Sequence, residues 1–292
     1  MVRALFALLL LASAAPASEP AKHTRGIVYT TIGKDKYVLD LAVPATQGPH
    51  PVVVCIHGGA WKYGDRLDLA WSPAGDILVE ELTKAGYAAA SIDYRLAPKH
   101  KFPAQIEDCK TAVRFLRANA SKYNLDKTRI AAAGFSAGAH LANLLGTTDS
   151  SAGFDGTQYP EETSDVHCVL DYFGPTDLTL YYPSEGLRET HMVPLLGKAA
   201  AHSLDVYKKA SPISYVSKKT VPHLIVHGTF DLLVPVIHSE RYRDKLKAEG
   251  VPVECFFMTG RMHGWSREDA KISTAKGIEY LKKQMPVTKS RE

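Results

Sequence analysis

The chain lacks a long hydrophobic run, a cluster of cysteines and a dominant charge, and each absence removes a class of answers. Its longest apolar stretch, Ala4 to Leu11 behind Met1-Val2-Arg3, is about half of what a bilayer span needs. Followed by small residues ending in Ala15-Pro16-Ala17, it reads as a secretory leader over residues 1–17. Periplasmic or secreted localisation is therefore expected, and stable membrane insertion is not. The four cysteines, Cys55, Cys109, Cys168 and Cys255, lie far apart in strand-like runs or on an apolar helix face. That pattern suggests neither a metal cluster nor a dense disulfide framework, so buried free thiols are expected. A formal net charge of +4 over 292 residues is too mild to argue for a nucleic-acid partner. Internal repeats and low-complexity linkers are missing too, and no glycine-rich segment is followed by lysine and Ser/Thr in phosphate-binding spacing.

What is present is an ordinary globular composition, 45% hydrophobic and 23% charged, arranged as alternating strand and helix patterns. Gly26 to Ile32 and Lys36 to Val43 flank a Gly33-Lys34-Asp35 turn, which predicts an antiparallel hairpin. Nearly continuous apolar runs then follow at Pro51 to Ile56, Tyr87 to Asp93, Arg129 to Phe135, Val166 to Phe173, Val221 to His227 and Val251 to Met258. Strands buried on both faces read this way. Helical spacing appears over Phe102 to Asn119, Ala137 to Leu145, Ile237 to Ala248 and Asp269 to Lys283. The expected fold class is α/β: about eight strands, mostly parallel, with helices on both faces, in one domain over 18–292. Segments 147–165 and 175–212, rich in Gly, Pro, Ser and Tyr, are expected to be loops or a small lid over one end of the sheet.

The segment Gly134-Phe135-Ser136-Ala137-Gly138 sets one serine between two glycines where a strand passes into a helix. A sharp strand-to-helix turn needs small neighbours and lifts the serine hydroxyl clear of the sheet, at a helix N-terminus that favours developing negative charge. Nucleophilic use of Ser136 needs a base, an acid to orient it and backbone donors for an oxyanion. His57-Gly58-Gly59-Ala60-Trp61, directly after a buried strand, can aim backbone N–H groups into a cleft at the strand's carboxyl end. Gly59 and Ala60 are the candidate donors there, joined by Ala137 after the serine.

For the acid, Asp231 and Asp177 both follow strands at the same sheet edge as Ser136. Asp231 is preferred, because its loop follows the next-to-last strand, while Asp93 in Asp93-Tyr94-Arg95 suggests a structural ion pair. For the base, His263 stands out among twelve histidines, because Gly260 and Gly264 flank it in the loop after the last strand. His57 leads the glycine loop, His140 is expected to face outward from its helix, and His223 and His227 belong to a strand. His100, His191, His202 and His238 look like surface or loop residues.

The order Ser136, Asp231, His263, with the glycine loop ahead of them, resembles the α/β-hydrolase superfamily. The chain most resembles bacterial carboxylesterases related to hormone-sensitive lipase and to acetylxylan and feruloyl esterases. The resemblance rests on His57 to Trp61, Asp93-Tyr94-Arg95-Leu96-Ala97-Pro98, Gly134 to Gly138, His227-Gly228-Thr229-Phe230-Asp231 and Gly260 to Gly264. Two departures, Ala60-Trp61 where hormone-sensitive-lipase relatives carry a third glycine and Phe135 where they carry an aspartate, favour the acetylxylan, feruloyl and arylformamidase branches.

The resemblance implies a cofactor-free and metal-free serine esterase with Ser136 as nucleophile, His263 as base and Asp231 as orienting acid. Its substrate would be a small-molecule or polysaccharide-linked ester. Trp61, Tyr63, Tyr94 and Trp265 become candidate walls of the substrate pocket. An arylformamidase, a serine peptidase of the same fold or a non-catalytic binding module are the alternative readings.

Overall fold

The computed structural model describes residues 20–71, 73–180 and 185–287, so the expected leader over 1–17 lies outside the described residues. Eight strands form one sheet: β1 (Lys22–Ile32), β2 (Asp35–Val43), β3 (His50–Ile56), β4 (Ala88–Ile92), β5 (Leu125–Phe135), β6 (Val169–Tyr172), β7 (His223–Gly228) and β8 (Val253–Met258). Their order is β1-β2-β4-β3-β5-β6-β7-β8. Pairings β1/β2 and β2/β4 are antiparallel and the other five are parallel. The hairpin is therefore an edge on a parallel core.

Alternation along the central strands sends their side chains into two cores. Val52, Val54 and Ile56 of β3 join one buried cluster, whereas Val53 and Cys55 join the other. In β5, Ile130 and Ala132 part in the same way from Ala131 and Ala133. Helices cover both faces, as a strand buried on both sides demands. The first core is closed by α3 (Ala104–Ala118) and α4 (Ala137–Thr147), and the second by α2 (Pro73–Lys84) and α8 (Arg267–Gln284), with Leu78, Leu82, Tyr280 and Leu281 fully or almost fully buried. A third, smaller cluster lies beneath α7 (Ile237–Ala248), around Tyr242 and Leu246. All four cysteines are free, and burial pushes the Cys55 thiol up to about 12, which suits inert core packing. No helix among the described residues is long and apolar enough to cross a membrane.

The junction of β5 and α4 is set by close backbone approach. A side chain on Gly134 would strike the Gly138 backbone, and one on Gly138 would strike the Ile56 carbonyl of β3. Only glycine lets α4 start this near the sheet.

Two expectations need correction. The short α1 (Asp68–Trp71), with α2 behind it, fills a stretch in which apolar spacing picked out no helix. Segment 147–165 is not a lid. It leaves the carboxyl end of α4, which returns to the amino ends of the parallel strands, on the far side of the sheet from Ser136. There Lys110, buried on α3, donates to Asp155 Oδ1 (2.9 Å) and to Thr148 O and Ser164 Oγ (both 3.3 Å). Segment 175–212 does follow β6 at the Ser136 end, but its described residues include the α-helices α5 (Glu185–Leu196) and α6 (Leu204–Lys209). They bury Met192, Leu195 and Tyr207 in the first core.

The glycine contacts predict a cost. Gly138→Ala should lower unfolding free energy by about 3 kcal/mol, because the obstacle is backbone that cannot rotate away. Urea denaturation checks this, and a change within experimental error would show that the junction can open.

Candidate active site

Ser136 sits at the turn with φ 54° and ψ −118°, a left-handed region that side chains rarely occupy. Such strain costs on the order of 1–3 kcal/mol and persists only when neighbours enforce it. They do so here: Ser136 N–H donates to Tyr172 O (2.9 Å), and Ser136 O accepts from His140 N–H as α4 begins (3.0 Å).

Two loops from the carboxyl edge converge on the hydroxyl. Ser136 Oγ–H donates to His263 Nε2 (3.0 Å), and His263 Nδ1–H donates to Asp231 Oδ2 (2.7 Å), which is the tautomer that satisfies both contacts. The other carboxylate oxygen, Oδ1, accepts from Leu233 N–H (2.9 Å) and Val234 N–H (2.8 Å). Burial alone would raise the Asp231 carboxyl. Hydrogen bonds from His227 and His263 outweigh it and hold the group well below the usual carboxylate range. A permanently charged acid behind an imidazole can orient the ring and stabilise its protonated form.

The glycine loop is wound through three left-handed residues, Gly59 (φ 99°), Ala60 (φ 52°) and Trp61 (φ 58°). Gly59 O accepts from Lys62 N–H and Tyr63 N–H (both 3.0 Å), closing the turn. Tyr94 OH lies 3.1 Å from His57 O and 3.2 Å from Gly58 O, and its ring stacks on His57 at 4.2 Å. A side chain on Gly58 would meet Phe135 O and the Ser136 Cβ, so the loop runs directly beside the serine. Ala137 opens α4, where the first amides have no intrahelical acceptor.

An open cavity of about 530 Å³ adjoins Ser136. Gly58, Gly59, Asp68, Leu69, Ala74, Phe135, Phe173, Gly264 and Trp265 line it. Of the four aromatic wall candidates, Trp265 alone lines this space. Trp61 and Tyr94 are buried, and Tyr63 is 66% exposed outside that lining. Phe135 and Phe173 form the wall instead. The first was visible within the serine motif, and the second ends a strand at the same edge as Asp177, so their positions signalled the role better than aromatic character did. Phe173 packs edge-on against His263 (4.8 Å) and Trp265 (4.7 Å).

Other residues fall differently from expectation. His140 faces inward and is fully buried, accepting from Trp61 Nε1–H (3.1 Å) and donating from Nε2 to Ala210 O (2.7 Å). Burial pulls it down to about 4, as it does His238, which is not a surface residue. Asp177 is held by Thr179 and Arg241, away from His263. Asp93 does form an ion pair, but with Arg66 (3.2 Å), because Arg95 turns to Asp108 and Glu107 (2.8 Å each). Among the described residues, no group of three or more His, Cys, Asp or Glu side chains could hold a metal ion.

The turn bearing Phe173 depends on a buried carboxylate. Asp171 Oδ1 accepts from Gly174 N–H (2.8 Å) and Oδ2 from Asn143 Nδ2 (2.8 Å). Burial pushes this carboxyl up to about 6 in spite of those donors.

The family model BD-FAE matches residues 39–246, a span that contains Ser136 and Asp231 and stops before His263. Esterase LipC of Mycobacterium tuberculosis is 32% identical over 202 residues, 68% of this chain and 49% of its own length. The chain spans about half the length of the curated relatives it matches. Among solved structures, a truncated carbohydrate esterase from gut microbiota superposes with a TM-score of 0.81 at 26% identity, covering 91% of this chain and 96% of that one. A bifunctional GH43-CE protein of Bacteroides eggerthii gives 0.78 at 31% identity, over 90% of this chain and 38% of its own.

The Asp171 carboxyl predicts a pH dependence of stability. An unfolded aspartate loses its proton near about 3.9, so the folded chain holds the Asp171 proton more tightly up to about 6. The stability contributed by this group is full below pH 4 and is lost as pH rises through 6, on the order of 3 kcal/mol. Urea titrations should therefore show Asp171→Asn gaining on the parent protein between pH 4 and 7. A difference that stays constant with pH would contradict the assignment.

Proposed function

The chain belongs to the BD-FAE family, within the α/β-hydrolase superfamily, and from that membership we propose that it hydrolyses carboxylic esters through an acyl-enzyme on Ser136. The observation that carries this reading is the continuous hydrogen-bonded chain from Ser136 through His263 to Asp231. His263 Nε2 takes the hydroxyl proton as Oγ bonds to the ester carbonyl carbon. The resulting oxyanion lies toward the Gly59, Ala60 and Ala137 amides. Collapse breaks the bond to the alcohol oxygen, which leaves with the proton from His263. Water then enters, gives a proton to His263 and attacks the acyl carbon, and the acid departs as the proton returns to Ser136. Asp231 stays ionised throughout and keeps the ring oriented.

The proposed substrates are short-chain acyl or polysaccharide-linked acetyl and feruloyl esters. Support comes from the likeness to a carbohydrate esterase and to a GH43-CE protein. The cavity supports the acyl side, being walled by Phe135, Phe173, Leu69 and Trp265 and open at one end. Export through the 1–17 leader is part of the same proposal, since polymeric esters are met outside the cell.

Two measurements test this. Ser136→Ala should lower ester hydrolysis by about 10⁴-fold or more with unfolding unchanged. Residual activity near the parental rate would remove Ser136 from the mechanism. A panel of nitrophenyl acetate and butyrate, acetylated xylan and methyl ferulate should show turnover of at least one carbohydrate or feruloyl ester. Activity confined to the nitrophenyl esters would refute that substrate class.

A further inference from the structure

Asp231 Oδ2 has a second imidazole beside it. His227, at the end of β7, is fully buried, and its Nε2 lies 3.2 Å from that oxygen. The same Nε2–H donates to Val234 O (2.8 Å), while Ser239 Oγ–H on α7 donates to Nδ1 (2.6 Å). The peptide that His227 braces also serves the acid, since Val234 N–H donates to Asp231 Oδ1. Val234 O and the carboxylate can only accept, so Nε2 carries the hydrogen, and Ser239 Oγ–H meets the bare Nδ1. With the other tautomer, a lone pair would face Asp231, and two acceptors at this distance repel.

We infer that His227, held by Ser239, is a positioning residue that fixes the Asp231 carboxylate and limits its basicity while His263 is protonated; this rests on reading Ser136, His263 and Asp231 as the reacting triad. An acid that accepts from His263 and two amides, with the His227 Nε2–H shared between it and Val234 O, is a poor proton acceptor. The proton taken from Ser136 then stays on His263, from which it must reach the leaving alcohol. Other groups near His227 are Asp171 from β6, the Phe173 ring just after it and His238 from α7. Asp231 is the nearest of them that also touches His263.

The predicted consequence has a sign. Removing the His227 N–H leaves Asp231 more basic, which strengthens its hold on protonated His263. The readout is the rate of Ser136 phosphonylation by a fluorophosphonate, in which Oγ bonds to phosphorus, fluoride leaves and His263 takes the proton. In His227→Phe the rate at pH 7.5 should fall about tenfold and the acid limb of the rate profile should move up by about half a pH unit. His227→Gln, which keeps an N–H in reach of Asp231, should restore both toward the parent. A limb that superimposes on the parental one would overturn the inference, whether or not the rate falls, since loss of packing alone slows labelling without moving it. If His227→Phe does not fold, His227→Leu serves. It also removes the N–H beside Asp231, so an upward displacement supports the inference and an unmoved limb overturns it. Failure of the parent protein to label at Ser136 would instead remove the triad reading on which the inference stands.

Discussion

Backbone contact at the end of β5 is the constraint on which the rest of the structure depends. Gly134, Gly138 and Gly58 each face backbone, or the Ser136 Cβ, where a side chain would stand. That proximity forces Ser136 into a strained conformation and places its hydroxyl between the amide end of α4 and the glycine loop after β3. The strain is offset by the Ser136 amide bonding to β6 and by packing that buries β3 and β5 on both faces. Losing the close approach would let α4 drift and separate hydroxyl, donors and base together.

Charge is arranged around the same point by selective burial. Of the histidines, His140, His223 and His238 are so deeply buried that they are pulled down to about 4, and each serves as a fixed hydrogen-bonding spacer. Asp231 is buried as well, yet its donors reverse the sign and keep it charged. His263 differs in reaching solvent, with a side chain 18% exposed, while bridging the buried acid and the serine. One imidazole therefore connects a permanent charge to a reactive hydroxyl. The aromatic ring of Phe173 holds it from the side.

Much of this was legible in the sequence because the relevant constraints are local. Continuous apolar runs marked the buried strands, the spacing over Ile237–Ala248 gave α7 with its observed limits, and glycine pairs marked Ser136 and His263. What escaped depended on contacts between distant residues. Trp61 and His140 look like pocket and surface residues until the hydrogen bond between them, 79 positions apart, is seen. Arg95 stands two residues from Asp93 but meets Glu107 and Asp108 of α3, partners that only the folded chain brings near. His227 read as an ordinary strand residue, and its relation to Asp231 appears only once the loop folds back over it. Helix α2 was legible by the same spacing, with Leu78 and Leu82 four apart behind a proline start, and was passed over.

The central claim is that the Ser136 oxygen forms a covalent acyl-enzyme. Its most direct test is acid-quenching the protein within the first turnovers of nitrophenyl acetate and sequencing its peptides by mass spectrometry. The account predicts one acetyl group, on the peptide containing Ser136 and at that residue, absent when Asp231 or His263 is replaced. Hydrolysis that proceeds with Ser136 unmodified, or with the acetyl group on another side chain, would contradict it.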